Sequence, residues 1–198
     1  MATTALLGLP LAASAASPSA FETAPAEPGA ITVKAIGDGR ADDSAAIQAA
    51  IDQAASSKTG EGIVFLPSGR YRISRTLYMW PGVRLFGVGK TRPVILLGAN
   101  TPGFGQGLGT MVIFAGLNPT RPLASGRPFK VPVPPQGSVP ATDKIADANS
   151  GTFYSAMSNI DWEVGPGNPA ATVIRAHAAQ HAYLSHMDFQ LGSALAGL

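Results

Sequence analysis

Residues 31–66 read ITVKAIGDGRADDSAAIQAAIDQAASSKTGEGIVFL, and the pattern inside this stretch decides the fold. A short apolar run opens it and a polar turn spans Gly37 to Asp43. Ile47, Ala50, Ile51 and Ala54 then recur at spacings of three and four, which places them on one face of a helix. A helix with one apolar side must cover something. Asp42, Asp43 and Ser44 stand just ahead of it, where side-chain oxygens accept first-turn amide hydrogens that lack intrahelical partners. Gly60 and Gly62 release the chain into Ile63, Val64 and Phe65, a second strand.

Beyond the helix, helical periodicity does not return. Short apolar strands follow one another at Ile63 to Leu66, Arg70 to Ile73, Leu77 to Met79, Val83 to Phe86 and Val94 to Leu97. Pro67-Ser68-Gly69, Pro81-Gly82 and Gly87 to Pro93 separate them, as a chain that turns repeatedly requires. Gly89-Lys90-Thr91 ends like a phosphate loop, but Arg84 stands where the motif needs its first glycine, and Pro93 blocks the helix that should follow. The GDG turn lacks its third glycine because Asp42 holds that place. Both are structural turns.

The last third repeats itself. Ser158-Asn159-Ile160-Asp161-Trp162-Glu163-Val164-Gly165 aligns with Ser185-His186-Met187-Asp188-Phe189-Gln190-Leu191-Gly192 at an offset of 27 residues. A period in this range marks a solenoid, in which each turn buries its apolar side chains against the next. Alternation within each copy points Ile160, Trp162 and Val164 inward above Met187, Phe189 and Leu191. Between strands and repeat, seven prolines fall from Pro119 to Pro140 and leave few amide donors for a sheet. That stretch reads as a surface excursion, either a wall over a substrate groove or a disordered insertion.

The order GDG, then DD and Ser, then AAIQAAID, then a strand running into LPSGRYRI resembles the start of the pectate lyase superfamily. Rhamnogalacturonase-like proteins and the family 55 β-1,3-glucanases share this opening. Residues 170–189, AATVIRAHAAQHAYLSHMDF, resemble a coil of the family 55 enzymes and of proteins related to glycoside hydrolase family 28. The resemblance implies an all-β right-handed parallel β-helix, a single-stranded solenoid whose N-terminal end is closed by an α-helix. It covers most of residues 31–198 apart from a proline-rich loop at about 117–150. The catalytic carboxylate of the family 55 enzymes lies in the second of their two β-helices, so no catalytic residue carries over to a position here. Nothing caps a final coil at Leu198, and the reading is of the N-terminal part of a longer domain.

Composition narrows the partners. Charged residues make up 13% of the chain, and 23 glycines with 17 prolines make it rich in turns. A net charge of +2 without a block of Lys and Arg gives no phosphate-tracking face, so no nucleic acid is expected. No later segment reaches the roughly 20 apolar residues that span a bilayer. Ala5 to Ala16 is a short apolar run, and Ala13-Ser14-Ala15 has the form read by signal peptidase. The expectation is a leader over 1–16, a linker over 17–30, and a secreted protein, extracellular or periplasmic. The absence of cysteine excludes disulfides and thiolate metal sites.

Candidate chemistry sits in the repeat. Strands stacked in register place Asp161 and Asp188 on neighbouring coils about 4.8 Å apart, near the ~5–5.5 Å separation of the carboxyl groups in retaining glycosidases. They are the candidate catalytic pair, set against the alternative that each aspartate only bonds turn amides or water. Trp80, Arg175, His177 and His186 are the candidate sugar contacts, with Trp80 beside Pro81 expected at the surface. His177 and His181 have the spacing of helical zinc ligands, but Ala178 replaces the glutamate a metallopeptidase needs and the surroundings read as strand and turn; no metal is expected there.

Three functions follow. The favoured one is the N-terminal part of a glycoside hydrolase acting on a polysaccharide. The second is a pectate-type lyase on uronate glycans, which would usually bring calcium as cofactor. The third is a non-catalytic glycan-binding β-helix.

Overall fold

A computed structural model describes residues 17–56, 62–116, 147–148, 152–177 and 179–198. The leader, most of the proline-rich excursion and Ala178 lie outside the described residues. The chain winds coil upon coil. The opening coil holds β1 (Ile31–Thr32), β2 (Asp38–Asp42) and α1 (Ser44–Ser56). The next holds β3 (Ile63–Pro67), β4 (Arg70–Ile73) and β5 (Leu77–Met79), and the one after it β6 (Arg84–Val88), β7 (Val94–Leu97) and β8 (Gly109–Phe114). Then come β9 (Ala156–Ser158), β10 (Asp161–Val164) and β11 (Ala171–Arg175), followed by β12 (Tyr183–Ser185), β13 (Phe189–Gln190) and Ala196, which bridges to Thr172 in parallel.

The three middle coils contribute one strand to each of three sheets, while the opening coil has α1 and the last coil the Ala196 bridge in the third position. The first sheet runs β1-β3-β6-β9-β12, the second β2-β4-β7-β10-β13 and the third β5-β8-β11. Every pairing between named strands is parallel. This is a parallel β-helix, and crossovers between parallel strands turn right-handed almost without exception.

The core is a set of columns down the axis. Tyr71, Ile95, Trp162 and Phe189 are register partners in successive coils, as are Val64, Leu85, Met157 and Leu184. The Trp162 and Phe189 rings stack at 6.4 Å and 11°. The pairing of Trp162 with Phe189 and of Ser158 with Ser185 is the register of the sequence repeat. Ile160, Trp162 and Val164 are buried, and Met187, Phe189 and Leu191 pack against the same core.

The helix α1 closes one end of the coil, where a third-sheet strand of the opening coil would stand. Ile47, Ala50, Ile51 and Ala54 are buried, and each fully buried isoleucine contributes roughly 1.5–3 kcal/mol. Gln48 does what the missing strand would do for β5. Its side-chain carbonyl accepts from the Tyr78 N–H at 2.8 Å and its amide donates to the Tyr78 C=O at 3.2 Å, so an open edge is satisfied by one side chain.

The helix start is shared between two aspartates. The Asp42 carboxylate accepts from the Ser44 N–H, the Ser44 hydroxyl and the Ser74 hydroxyl. Burial alone would raise the Asp42 pKa, but those hydroxyls, the Ser44 amide and Arg75 together hold it below its ordinary value. Asp43 turns the other way and accepts from the amides of Ile36 and Gly37 at 2.9 and 3.1 Å.

Residues 17–22, read from the sequence as linker, pack along the corner between the first and second sheets. Phe21 meets Phe86 edge-on at 5.8 Å, and its C=O accepts from the Gly89 N–H. Pro18 bridges Thr91 in antiparallel fashion. Side chains at this corner supply bonding partners, and that is why the segment is held.

Candidate functional site

The outer face of the third sheet gathers three of the four residues expected to contact sugar. Register puts Tyr78, Ile113 and Arg175 in one row. Trp80 follows Tyr78 on the same side and stacks on it at 5.6 Å and 12°. His177 lies exposed two residues past Arg175. Arg175 forms an ion pair with Asp147, both side chains 18% exposed. Asp147 itself is fixed by an antiparallel bridge to Ala115, and the Ala148 N–H donates to the Phe114 C=O. The chain therefore leaves the coil after β8 and returns beside its point of departure.

Trp80 is not at the surface as expected. It is 7% exposed, and its indole N–H donates to Asp52 of α1 at 2.6 Å. The helix that closes the coil also reaches its aromatic neighbour. Tyr78, half-buried, is the aromatic ring this face presents.

His186 lies elsewhere, at the corner between the first and second sheets, together with Asp161 and Asp188. The two aspartates do neighbour one another, but Arg92 stands between them. Its Nη1 is 3.1 Å from Asp161 Oδ1 and 3.1 Å from Asp188 Oδ2. Asp161 is 8% exposed and also accepts from the Asp188 N–H at 3.0 Å. Asp188 accepts from the Ser17 hydroxyl at 2.9 Å, and the Arg92 Nε–H donates to the Pro18 C=O at 3.1 Å. The cluster joins three coils and the N-terminal segment. His186 is exposed beside it, with φ of 51°.

Glu163, which follows Asp161 on the outward side of β10, reaches diagonally over β7 to Arg70 in a two-pronged pair, with Nη1 to Oε1 at 2.8 Å. This bond with Glu163 raises the Arg70 pKa against the lowering effect of burial. Arg70 and Arg92 were not singled out in the sequence. The only local sign was the place of Arg92 before Pro93, in a turn that leads into a strand.

Among the described residues, no group of three or more His, Asp or Glu side chains comes together to hold a metal ion. Calcium takes six to eight oxygen ligands, whereas the Asp161 and Asp188 oxygens are already shared with Arg92. The described residues do not fit a calcium site. His177 and His181 do not share a helix: His181 sits in a turn with φ of 61°, its ring stacked on Tyr154 at 5.0 Å. No described helix is long and apolar enough to cross a membrane.

Residues 31–116 match the family described as rhamnogalacturonase A/epimerase, pectate lyase-like. Mannuronan C5-epimerase AlgE3 of Azotobacter vinelandii is 47% identical over 70 residues, 32% of this chain and 4% of that protein. Alginate lyase 7 of the same organism is 63% identical over 38 residues, 19% of this chain and 4% of the relative. Among solved structures, the A-module of the A. vinelandii epimerase AlgE6 aligns with 81% of this chain and 40% of its own, at 23% identity and a TM-score of 0.41. The surface adhesin PfbA of Streptococcus pneumoniae aligns with 81% of this chain and 38% of its own, at 18% identity and a TM-score of 0.39. The chain spans well under half the length of each of these proteins. Over residues 31–116 the chain is thus similar to the pectate lyase-like proteins of the rhamnogalacturonase A/epimerase family, and its own coils are those of a parallel β-helix.

Proposed function

We propose that this chain forms the first coils of an exported enzyme that acts on a uronate-containing polysaccharide by removing the proton at C5 of the sugar. The observation that carries the reading is the row of Tyr78, Ile113 and Arg175 on the third sheet, an aromatic ring and a guanidinium on one face. A guanidinium offers a fork of N–H donors that matches a carboxylate, and Asp147 keeps that fork in place. Tyr78 supplies a flat apolar surface for a sugar ring, with His177 within the same face for hydroxyl groups. The relatives named as C5-epimerases and as an alginate lyase support the class of chemistry.

Both reactions begin alike. A base takes the C5 proton while the neighbouring carboxylate is held by positive charge. A lyase then expels the oxygen at C4 and leaves an unsaturated ring; an epimerase returns a proton to the opposite side. Hydrolysis, the first expectation from the sequence, falls to second place, favoured only by the rhamnogalacturonase in the family description. Asp161 and Asp188 belong to that second reading.

The test uses the protein as secreted by its own host, incubated with mannuronan, pectate and a neutral β-1,3-glucan. Ultraviolet absorbance reports unsaturated ends, proton NMR reports inversion at C5, and a reducing-sugar assay reports hydrolysis. New reducing ends without absorbance would restore the hydrolase, and no change in any polymer would leave a non-catalytic glycan-binding β-helix. Export is tested by N-terminal sequencing of the secreted protein, with a start at Ser17 expected.

A further inference from the structure

We infer that the corner between the third and first sheets is a second carbohydrate-binding site, a ledge on which Phe153, Tyr154 and His181 hold a sugar ring of the polysaccharide. The inference rests on the polysaccharide reading but not on the third-sheet face. Arg84, Ala156 and Tyr183 are register partners across β6, β9 and β12. Two residues before each, the coil bends through the left-handed region: Gly82 at φ 77°, Tyr154 at 62° and His181 at 61°. Glycine enters that region without cost, while a bulky residue there is strained. Two coils therefore hold an aromatic ring where the backbone favours glycine. Strain of this kind gathers at sites that bind or switch.

The rings are placed to be used. Tyr154 and His181 lie parallel, 7° apart with centroids 5.0 Å apart, and Phe153 stands at 50° to Tyr154 with centroids at 6.3 Å. They form two walls. Tyr154 is 55% exposed and Phe153 39%. Toward the preceding coil the ledge is open among the described residues, because a Cβ built on Gly82 would meet none of their atoms within 4 Å. A cavity of about 290 Å³ adjoins, lined in part by Phe114, Ser155 and Tyr183. A pyranose ring has a flat face of C–H groups that packs on an aromatic ring while its hydroxyls stay in water, which is what an exposed ring above an empty step accepts.

The test takes the full secreted protein and compares wild type with Tyr154→Gly and Phe153→Ala, titrated with mannuronan and with a neutral β-1,3-glucan. Tyr154→Gly relieves the strained φ, so its Tm is expected to equal or exceed that of wild type while binding of the polymer weakens about tenfold. Phe153→Ala, at a residue outside the left-handed region, is expected to weaken binding in the same direction. Binding by Tyr154→Gly equal to wild type, together with a lower Tm, would show that the rings only staple adjacent coils and would overturn the inference. Wild type that binds the neutral glucan alone, and loses it with Tyr154→Gly, would keep the ledge and sink the uronate reading. Wild type that binds neither polymer would sink both.

Discussion

Asn159 and Tyr154 sit five residues apart in the same coil with the same φ of 62°, and their side chains have opposite fates. Asn159 is fully buried at the corner between the first and second sheets. Its amide donates to the Gly87 C=O at 2.7 Å and to the Ser19 hydroxyl at 2.8 Å, and its carbonyl oxygen accepts from the Ala20 N–H at 2.9 Å. Asparagine tolerates this backbone, and a buried amide replaces bonds that the turn would otherwise lack. Tyr154, at the other corner, holds a half-exposed ring stacked on His181 and makes no such network among the described residues. One corner uses an unfavourable φ to tie coils and the N-terminal segment together; the other uses it to present an aromatic face. The same turn of the coil can thus serve stability or recognition, and the side chain decides which.

The comparison breaks first at Asn159. Asn159→Ala leaves the Gly87 carbonyl and the Ala20 amide without their partner and puts alanine at a strained φ, so a loss of roughly 3 kcal/mol is expected by urea unfolding. A loss below 1 kcal/mol would mean that the corner is not what binds the coils. Arg92→Met comes next. It leaves Asp161 buried without its cation, for an expected loss of about 2 kcal/mol, less than a fully enclosed pair because Asp188 is open to water. It should also free residues 17–22 to proteases, and unchanged cleavage there would separate the segment from the ion cluster.

Tyr154→Gly should move stability the other way or not at all, by no more than about 1 kcal/mol, because relief of the left-handed strain offsets the lost stacking. The smallest effect is at the helix start. Asp42 is held below its ordinary 3.8, so the folded chain binds this proton less readily than the unfolded one. Its contribution is present above 3.8 and is lost as pH falls through the lowered value. Asp42→Asn should therefore cost a little stability at neutral pH, and the gap between variant and wild type should close in acid. A gap that does not narrow as pH falls below 3.8 would assign the effect to packing rather than charge.

Much of the architecture was legible in the residues. The helix face of Ile47, Ala50, Ile51 and Ala54 is the buried face, because a three-and-four spacing has one geometric meaning. The strands from β3 to β7 fall close to where short apolar runs stand between Pro and Gly. The 27-residue offset proved to be the stacking register, as the Ser158–Ser185 hydroxyl contact at 2.8 Å shows. The site was less legible. Trp80 beside Pro81 looked exposed, yet Asp52, 28 residues earlier, covers its indole. Nothing local in the repeat announced that Arg92, 69 residues before Asp161 and 96 before Asp188, would stand between them. The left-handed aromatic corner carries no repeated letters, since Tyr154 and His181 differ.

What the sequence determined by itself was everything that depends on local periodicity: a capped stack of short strands and which side of each faces the core. What the tertiary structure alone decided was the partner of each polar and aromatic side chain. A coil brings residues from distant parts of the chain within one strand spacing, and whether a side chain there meets a cation, a helix or water depends on how the coils stack rather than on its neighbours in sequence.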